Sequence, residues 1–460
     1  MQTECSSEVL EFEGCERRRV VAAFDGGELT SDAGALLLRQ ADRVLDLSGR
    51  VAGCFADHRN QDLVEHSVQA MVCQRIAGIA LGYEDLNDHD ELRRDPVLGL
   101  LSDKLEGKRS DCEALAGKST LNRLEQGRAG VVDRYHKISH DPAALETLFV
   151  DLFLDAYERA PKRITLDLDA TDDPLHGTQE GRFFHSYYGH YCYLPLYIFC
   201  GRALLAAKLR PSNIDGAAGA KEELERIVGR IRQRWPQVKI LVRADSGFAR
   251  EGLMAWCEAK GVDYLFGLAK NKRLIGEISL DLAAARARFE ETGAPARRFK
   301  DFSYRTLKSW SRARRVVGKA EHLPQGANPR FVVTSLSRGE HRAKELYEKL
   351  YCARGEMENR IKECQLDLFA DRTSAATLRA NQLRLWFASF AYVLMEGLRR
   401  IALHDSVLAD ATCGTIRLKL LKLAARITVS VRRIKLSMAS ACPNQNIFAL
   451  AHRHLRQAAA

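Results

Sequence analysis

Residues 163 to 177 read RITLDLDATDDPLHG and set four aspartates, Asp167, Asp169, Asp172 and Asp173, within seven positions directly after an alternating apolar run. Alternation with a period of two predicts a strand over 163–170. Asp167 and Asp169 then project from one face, and Asp172 and Asp173 fall in the turn beyond it. Carboxylates crowded in this way repel, and each raises its neighbours' pKa. Some cation has to offset them.

The surroundings of that strand give a fold class. RFFHSYYGHYCYLPLYIFC (182–200) reads as a long strand or hairpin and RALLAAKLRP (202–211) as a further strand. A helical pattern follows in GAKEELERIVGRIRQRW (219–235), then a buried strand, KILVRAD (239–245). A helix around REGLMAWCEAKG (250–261) and a strand, DYLFGLA (263–269), complete the run. The order strand, strand, strand, helix, strand, helix, strand predicts an α/β protein with a mixed sheet flanked by helices. Residues 1–150 read as mainly helical, with DLVEHSVQAMVCQRIAGIAL (62–81) periodic and a helix start at Ser119, which leaves room for a DNA-reading helix-turn-helix. Past Lys270 the pattern turns basic and β-rich, in FKDFSYRTLKSWSRARRVVG (299–318) and PRFVVTSL (329–336). A long helix from about His341 to Cys364 and an apolar helix in 381–400 come next.

Composition narrows the setting. At 460 residues and about 150 residues per domain, the chain has room for roughly three domains. Its acidic start, MQTECSSEVLEFEG, lacks the basic-then-apolar order of a signal peptide. LWFASFAYVLM (385–395) falls short of the roughly 20 residues of a membrane span. The 12 cysteines contain no C-x-x-C pair, which suits reduced thiols and a cytoplasmic protein rather than a disulfide framework or a zinc site. The net charge of +10 is concentrated. Residues 411–460 hold nine Lys or Arg (417, 419, 422, 426, 432, 433, 435, 453 and 456) and no acid. Such a cluster is a footprint for a polyanion or a solvated basic face.

Two more acids stand where chemistry would need them. Asp245, in VRADSGF, ends the buried strand, and ligands of open α/β sheets gather beyond such carboxyl ends. In LYCARGEMENRIKE the residues Tyr351, Arg354, Glu358 and Lys362 share one helical face, at about 100° per residue. A surface helix with Arg354–Glu358 and Glu358–Lys362 ion pairs explains that face equally well.

The succession DLDAT, VRADSGF and Y-x-x-R-x-x-x-E resembles the DDE transposases of bacterial insertion sequences. More narrowly it is similar to the insertion-sequence family numbered thirteen-eighty, in the branch with a Tyr-Arg-Glu-Lys signature. FDGGELTSDAGALLL (24–38), HRNQDLVEH (58–66) and DATDDPLHG share the likeness. The resemblance implies a ribonuclease H-like core whose acid triad, Asp169, Asp245 and Glu358, binds two Mg²⁺ or Mn²⁺ ions, with Asp167 as rival for the first acid. It implies cleavage at terminal inverted repeats, transfer of 3′ ends to target DNA, and a homodimer on DNA.

Tyr351 and Arg354 fit the signature. Seven residues past Glu358 stands Gln365 instead of lysine, so Lys362, one turn past Glu358, is assigned the lysine's part in gripping DNA. Arg432 and Arg433 are assigned to DNA as well. The implied organisation is a helical DNA-binding region over 1–150, core over 151–275, a β-rich insertion over 276–340, core again over 341–402, and a basic region over 403–460. Localisation follows as cytoplasmic and nucleoid-associated.

Competing readings remain. A catalytically inactive DNA-binding relative of the same fold has the same motifs. D-L-D-A-T also matches the D-x-D-x-T of haloacid dehalogenase-like phosphatases, with Asp167 as nucleophile, although that motif feeds a helix and here strands follow. AGKST (116–120) lacks the early glycine of a phosphate loop, Cys112 standing there. His58, Asp62 and His66 read as helix-surface contacts, His185 and His190 as packing or hydrogen-bonded residues, and His176 as part of a turn. Trp310 reads either as a base-stacking residue or as part of a small core.

Overall fold

The computed structural model describes residues 9–127, 133 and 135–459; Cys5 and the start of the chain lie outside them. The chain forms two compact units, one from residues up to His140 together with Leu394 onward, the other from Asp141 to Val393.

The second unit is built on a nine-stranded sheet. Its strands run in the order Ala203–Lys208, Leu196–Cys200, Arg163–Ala170, Lys239–Ala244, Asp263–Leu268, Arg330–Thr334, Arg314–Leu323 and Ala296–Tyr304, with Gly326–Ala327 beside Arg314–Leu323. Arg163–Ala170, Lys239–Ala244 and Asp263–Leu268 are mutually parallel, and every other pairing is antiparallel. Parallel neighbours need crossovers, and helices Ala220–Arg234 and Glu251–Lys260 precede and follow the central strand Lys239–Ala244. Period two then sorts the side chains. Ile164, Leu166 and Leu168 enter a core with Leu224, Ile227, Leu253 and Met254 of those helices. The opposite face, with Leu241 and Leu265, is covered by Leu346, Tyr347, Leu350 and Tyr351.

The expected strand order holds, with local differences. Residues 182–200 do not make one strand. Phe183–His185 and His190–Tyr193 form a side hairpin with Asp173–Pro174, and only Leu196–Cys200 joins the large sheet. The stretch 276–340, read as β-rich, begins inside two helices, Lys272–Glu277 and Ser279–Thr292. The second has no apolar stripe, Ala285 being its one buried residue, so periodicity could not announce it. The strands after it extend the large sheet instead of forming a sheet of their own.

The expected helix 341–364 is a chain of turns of different pitch: Ala343–Glu345, a π segment Leu346–Tyr351, a 3₁₀ turn Cys352–Arg354, the α-helix Gly355–Lys362 and a second π segment, Glu363–Asp367. Such π insertions favour functional sites. The apolar helix is Leu378–Leu398.

The first unit is largely helical and interlocks its two stretches of chain. Helix Val68–Leu81 is capped by the Ser67 hydroxyl and ends at Gly82 in the left-handed region. The helix expected from Ser119 starts at Lys118, behind Gly117 and without a side-chain cap. Leu29–Thr30 pairs with Ala425–Ser430, which turns back into Arg433–Met438 as a hairpin. Ala33 N donates to Leu423 O and Gly34 N to Leu421 O, and Lys422 pairs with Asp32, so the basic tail is woven into the amino-terminal stretch. The described cysteines are free thiols. Among the described residues no helix is long and apolar enough to cross a membrane.

Candidate functional site

The register of the sheet decides which acid does what. Arg243 pairs with Asp167 across parallel strands, and Ala244 with Leu168, so the next residues, Asp245 and Asp169, leave adjacent strand ends side by side. Asp167 is fully engaged. Its two oxygens accept from Arg243 Nε at 2.5 Å and Nη2 at 2.7 Å, and Arg243 Nη1 also bonds Leu350 O. Burial pushes the Asp167 carboxyl above its ordinary range while Arg243 pulls it back. A buried, bidentate pair in mid-sheet is a structural element, and Asp167 has no oxygen turned to a ligand.

Asp169, two residues on, is different. Oδ1 accepts from Ala170 N at 3.0 Å and Oδ2 from Arg354 Nη1 at 3.0 Å. Its carboxyl is pushed up to about 6, chiefly by burial, with Arg354 opposing and the charge of Asp245 adding to the rise. Asp245 Oδ1 accepts from Gly247 N at 2.8 Å, capping the turn Ser246–Phe248 and fixing where its other oxygen stands. Glu358, with a side chain 47% exposed, accepts from Arg354 Nη2 at 2.7 Å. One guanidinium therefore bridges Asp169 and Glu358. Burial alone would pull that guanidinium's pKa down, yet Asp169 first, then Tyr351, Glu358 and Asp245, hold it up. The four sequence candidates Asp169, Asp245, Glu358 and Tyr351 thus meet around the fifth, Arg354.

Gly267, which sequence reading passed over, makes room for this cluster. It follows Phe266, the partner of Ala244, and so lies level with Asp245. A Cβ there would stand 2.6 Å from the Tyr351 hydroxyl oxygen, 2.8 Å from Ser246 N and 3.1 Å from the Asp245 carbonyl carbon. The missing side chain lets Tyr351 and the Asp245 turn close over the strand end.

The remaining candidates separate. Lys362 is exposed on the helix Gly355–Lys362, with no ion-pair partner among the described residues. Gln365, at the position expected of lysine, donates through Nε2 to Asp172 O at 3.0 Å and Asp173 Oδ1 at 2.9 Å. Asp173 is fully buried, which drives its carboxyl well above the ordinary range, and a neutral amide suits it as a neighbour. His190 Nε2 meets Asp172 Oδ2 at 2.8 Å, a hydrogen-bonded residue as expected.

Trp310 is 4% exposed. Its ring meets Tyr304 edge-on with centroids 5.8 Å apart, and Arg314 lies over it, so no face is open for a base to stack on. Arg432 and Arg433 stand exposed at the turn of the carboxy-terminal hairpin, Arg432 beside the bare Val431.

An all-carboxylate donor set suits hard divalent cations, which take oxygen ligands, and the half-buried, mutually repelling Asp169 and Asp245 call for positive charge. Here Arg354 supplies it. Among the described residues one triplet has its potential ligand atoms all within 4.8 Å of one another, and it lies elsewhere, at His404, Asp405 and His454. With the guanidinium between them, the three acids do not close on a common centre.

The family described as transposase DDE domain group 1 matches residues 12–460, and the chain belongs to it. No curated protein matches the sequence. Among solved structures the chain is similar to a piggyBac transposase in a synaptic complex with hairpin DNA, at 10% identity and a TM-score of 0.38, over 93% of this chain and 82% of that one.

Two substitutions test the assignments made from geometry. Removing one partner of a buried ion pair costs about 3–5 kcal/mol, so Asp167→Ala should unfold at markedly lower denaturant than the parent, whereas Asp245→Ala should not. An unchanged unfolding midpoint for Asp167→Ala would return that residue to the list of free ligands. Gly267→Ala overpacks against backbone, which costs about 1–3 kcal/mol; an unaltered melting temperature would show that the strand end has slack.

Proposed function

We propose that the chain is an active transposase of a bacterial insertion sequence, of the family numbered thirteen-eighty, cutting DNA at its element's terminal inverted repeats and joining 3′ ends to target DNA. The observation that carries the reading is the meeting of Asp169, Asp245 and Glu358 around Arg354 at the carboxyl ends of two parallel strands. The strand order, with a meander of three strands beside two parallel strands reached through helices, supports a ribonuclease H-like core. The first unit and the exposed hairpin are read as DNA-binding, and a dimer that pairs two ends, working in the cytoplasm on the nucleoid, is part of the same reading.

Asp169, Asp245 and Glu358 would hold two Mg²⁺ or Mn²⁺ ions, which supply activation of water or a 3′-hydroxyl and neutralise charge on the attacking and leaving oxygens. The residues of the chain prepare for this. Arg354 keeps Asp169 and Glu358 neutralised before DNA arrives and has a planar fork suited to a phosphate. On DNA binding it transfers from carboxylate to phosphate, freeing both acids. Tyr351, packed over Gly267, donates its hydroxyl to a neighbouring phosphate oxygen. Lys362 meets the backbone as a mobile point charge.

Labelled terminal DNA with purified protein tests the proposal. Nicking that requires Mg²⁺ or Mn²⁺ and falls at least a hundredfold in Asp245→Ala and Glu358→Gln is expected. DNA binding without nicking would favour the inactive relative, and hydrolysis of small phosphate esters lost in Asp167→Asn would favour the phosphatase. The pH dependence has a sign. Asp169 titrates at about 6 before metal binds, and a ligand must shed its proton, so apparent metal affinity should weaken roughly tenfold per pH unit as pH falls below that value. A flat affinity between pH 5 and 7 would contradict the assignment.

Each phosphate contact contributes about 0.9 to the slope of log affinity against log salt. Arg432→Ala with Arg433→Ala should therefore lower that slope by about 2. An unchanged slope would remove the hairpin from the DNA interface.

A further inference from the structure

The triplet His404, Asp405 and His454 belongs to the first unit, and the acids just described to the second. His404 and Asp405 follow the π segment Arg399–Leu403, and His454 stands on the helix Gln445–Ala458, which is anchored by buried Ala451 and Leu455. The ligand atoms all lie within 4.8 Å of one another. His404 Nε2 is 3.2 Å and His454 Nε2 4.0 Å from the same atom, Asp405 Oδ2. The two imidazoles are stacked, with centroids 4.5 Å apart and planes inclined by 21°.

Two features distinguish this from an incidental surface ion pair. His454 Nδ1–H donates to Ala402 O at 3.1 Å, which in the neutral imidazole puts the lone pair on Nε2, the nitrogen 4.0 Å from Asp405 Oδ2. That is the orienting bond metal-ligating histidines ordinarily carry. The spacing lets the three close on one ion once the two imidazoles turn out of their stack. Ligands about 2.0–2.1 Å from a tetrahedral ion stand about 3.3 Å apart, a value the His404–Asp405 pair already meets and the His454–Asp405 pair exceeds by less than an ångström.

We propose that His404, Asp405 and His454 bind one divalent transition-metal ion of the zinc class, with the fourth position open to solvent. Two imidazole nitrogens and one carboxylate oxygen select such an ion over Mg²⁺, the ion suited to an all-oxygen triad. The two centres of the chain would then not compete for the same metal. Bound there, the ion ties the helix Gln445–Ala458 to the chain leaving the helix Leu378–Leu398, and so fastens the last element of the basic carboxy-terminal region.

The test uses the full-length chain carrying Asp245→Ala, stripped with chelator, so that metal held by the acid triad is not counted. Titration with Co²⁺ should give one equivalent with visible absorption of a tetrahedral ion and no thiolate charge-transfer band. A slight excess of Zn²⁺ should displace it, and a hundredfold excess of Mg²⁺ should not. Saturating Zn²⁺ should raise the melting temperature by several degrees, as any ligand of the folded state does. His454→Ala should abolish both effects; His404→Ala, at an exposed position, does the same should the helix variant fold poorly. Equal Co²⁺ binding by parent and His404→Ala, a thiolate band, or no binding at all overturns the proposal.

Discussion

The guanidinium of Arg354 is the interaction on which the second unit's chemistry depends. Carboxylates gathered at the end of a sheet repel one another and call for positive charge, and Arg354 reaches Asp169 and Glu358 with its two terminal nitrogens. It comes from a segment that crosses the sheet on turns of unequal pitch, with π segments on either side of the helix Gly355–Lys362. That irregularity lets Tyr347 and Tyr351 pack on the sheet while Arg354 meets Asp169 at the end of its strand and Glu358 beside it. A hydrogen-bonded arginine is a reversible counter-ion, because a phosphate can compete for it.

The pairing of Arg243 with Asp167 divides labour along the same strand. Being buried and bidentate, it secures the central parallel pair. Asp169, two residues further along the pleat, is thereby left at the rim. Gly267 on the third parallel strand completes the arrangement by yielding its side-chain volume to the Tyr351 hydroxyl. The site is thus an outcome of register: residues level with one another on three adjacent strands supply an acid, an acid and a gap.

Much of this was legible from local pattern. The alternation in RITLDLDA, the apolar run KILVRA and the helix between them gave strand order, and the carboxyl ends of strands pointed to Asp245 and to the competing pair Asp167 and Asp169, of which the resemblance favoured Asp169. Glu358 and Arg354 came from spacing and resemblance. What stayed hidden depends on contacts between distant residues. Nothing near Asp167 announces Arg243 as its partner 76 positions away. Gly267 looks like any strand glycine until Tyr351 lies over it. The helix Ser279–Thr292 hid because it buries almost nothing, although its Ala, Arg and Glu content carried helix propensity. Trp310, basic on either side in sequence, turned inward to Tyr304. The ends of the triplet His404, Asp405 and His454 stand 50 positions apart in sequence and form no motif, so only folding brings them together.

The central claim is that Asp169, Asp245 and Glu358 become joint ligands once Arg354 lets go. A structure with end DNA and Mn²⁺, read by anomalous scattering, addresses it most directly. The account predicts manganese between the strand-end aspartates, with Glu358 turned onto it and the Arg354 guanidinium on a phosphate. Manganese absent from these acids, with Arg354 still bridging Asp169 and Glu358 in the presence of DNA, would contradict it.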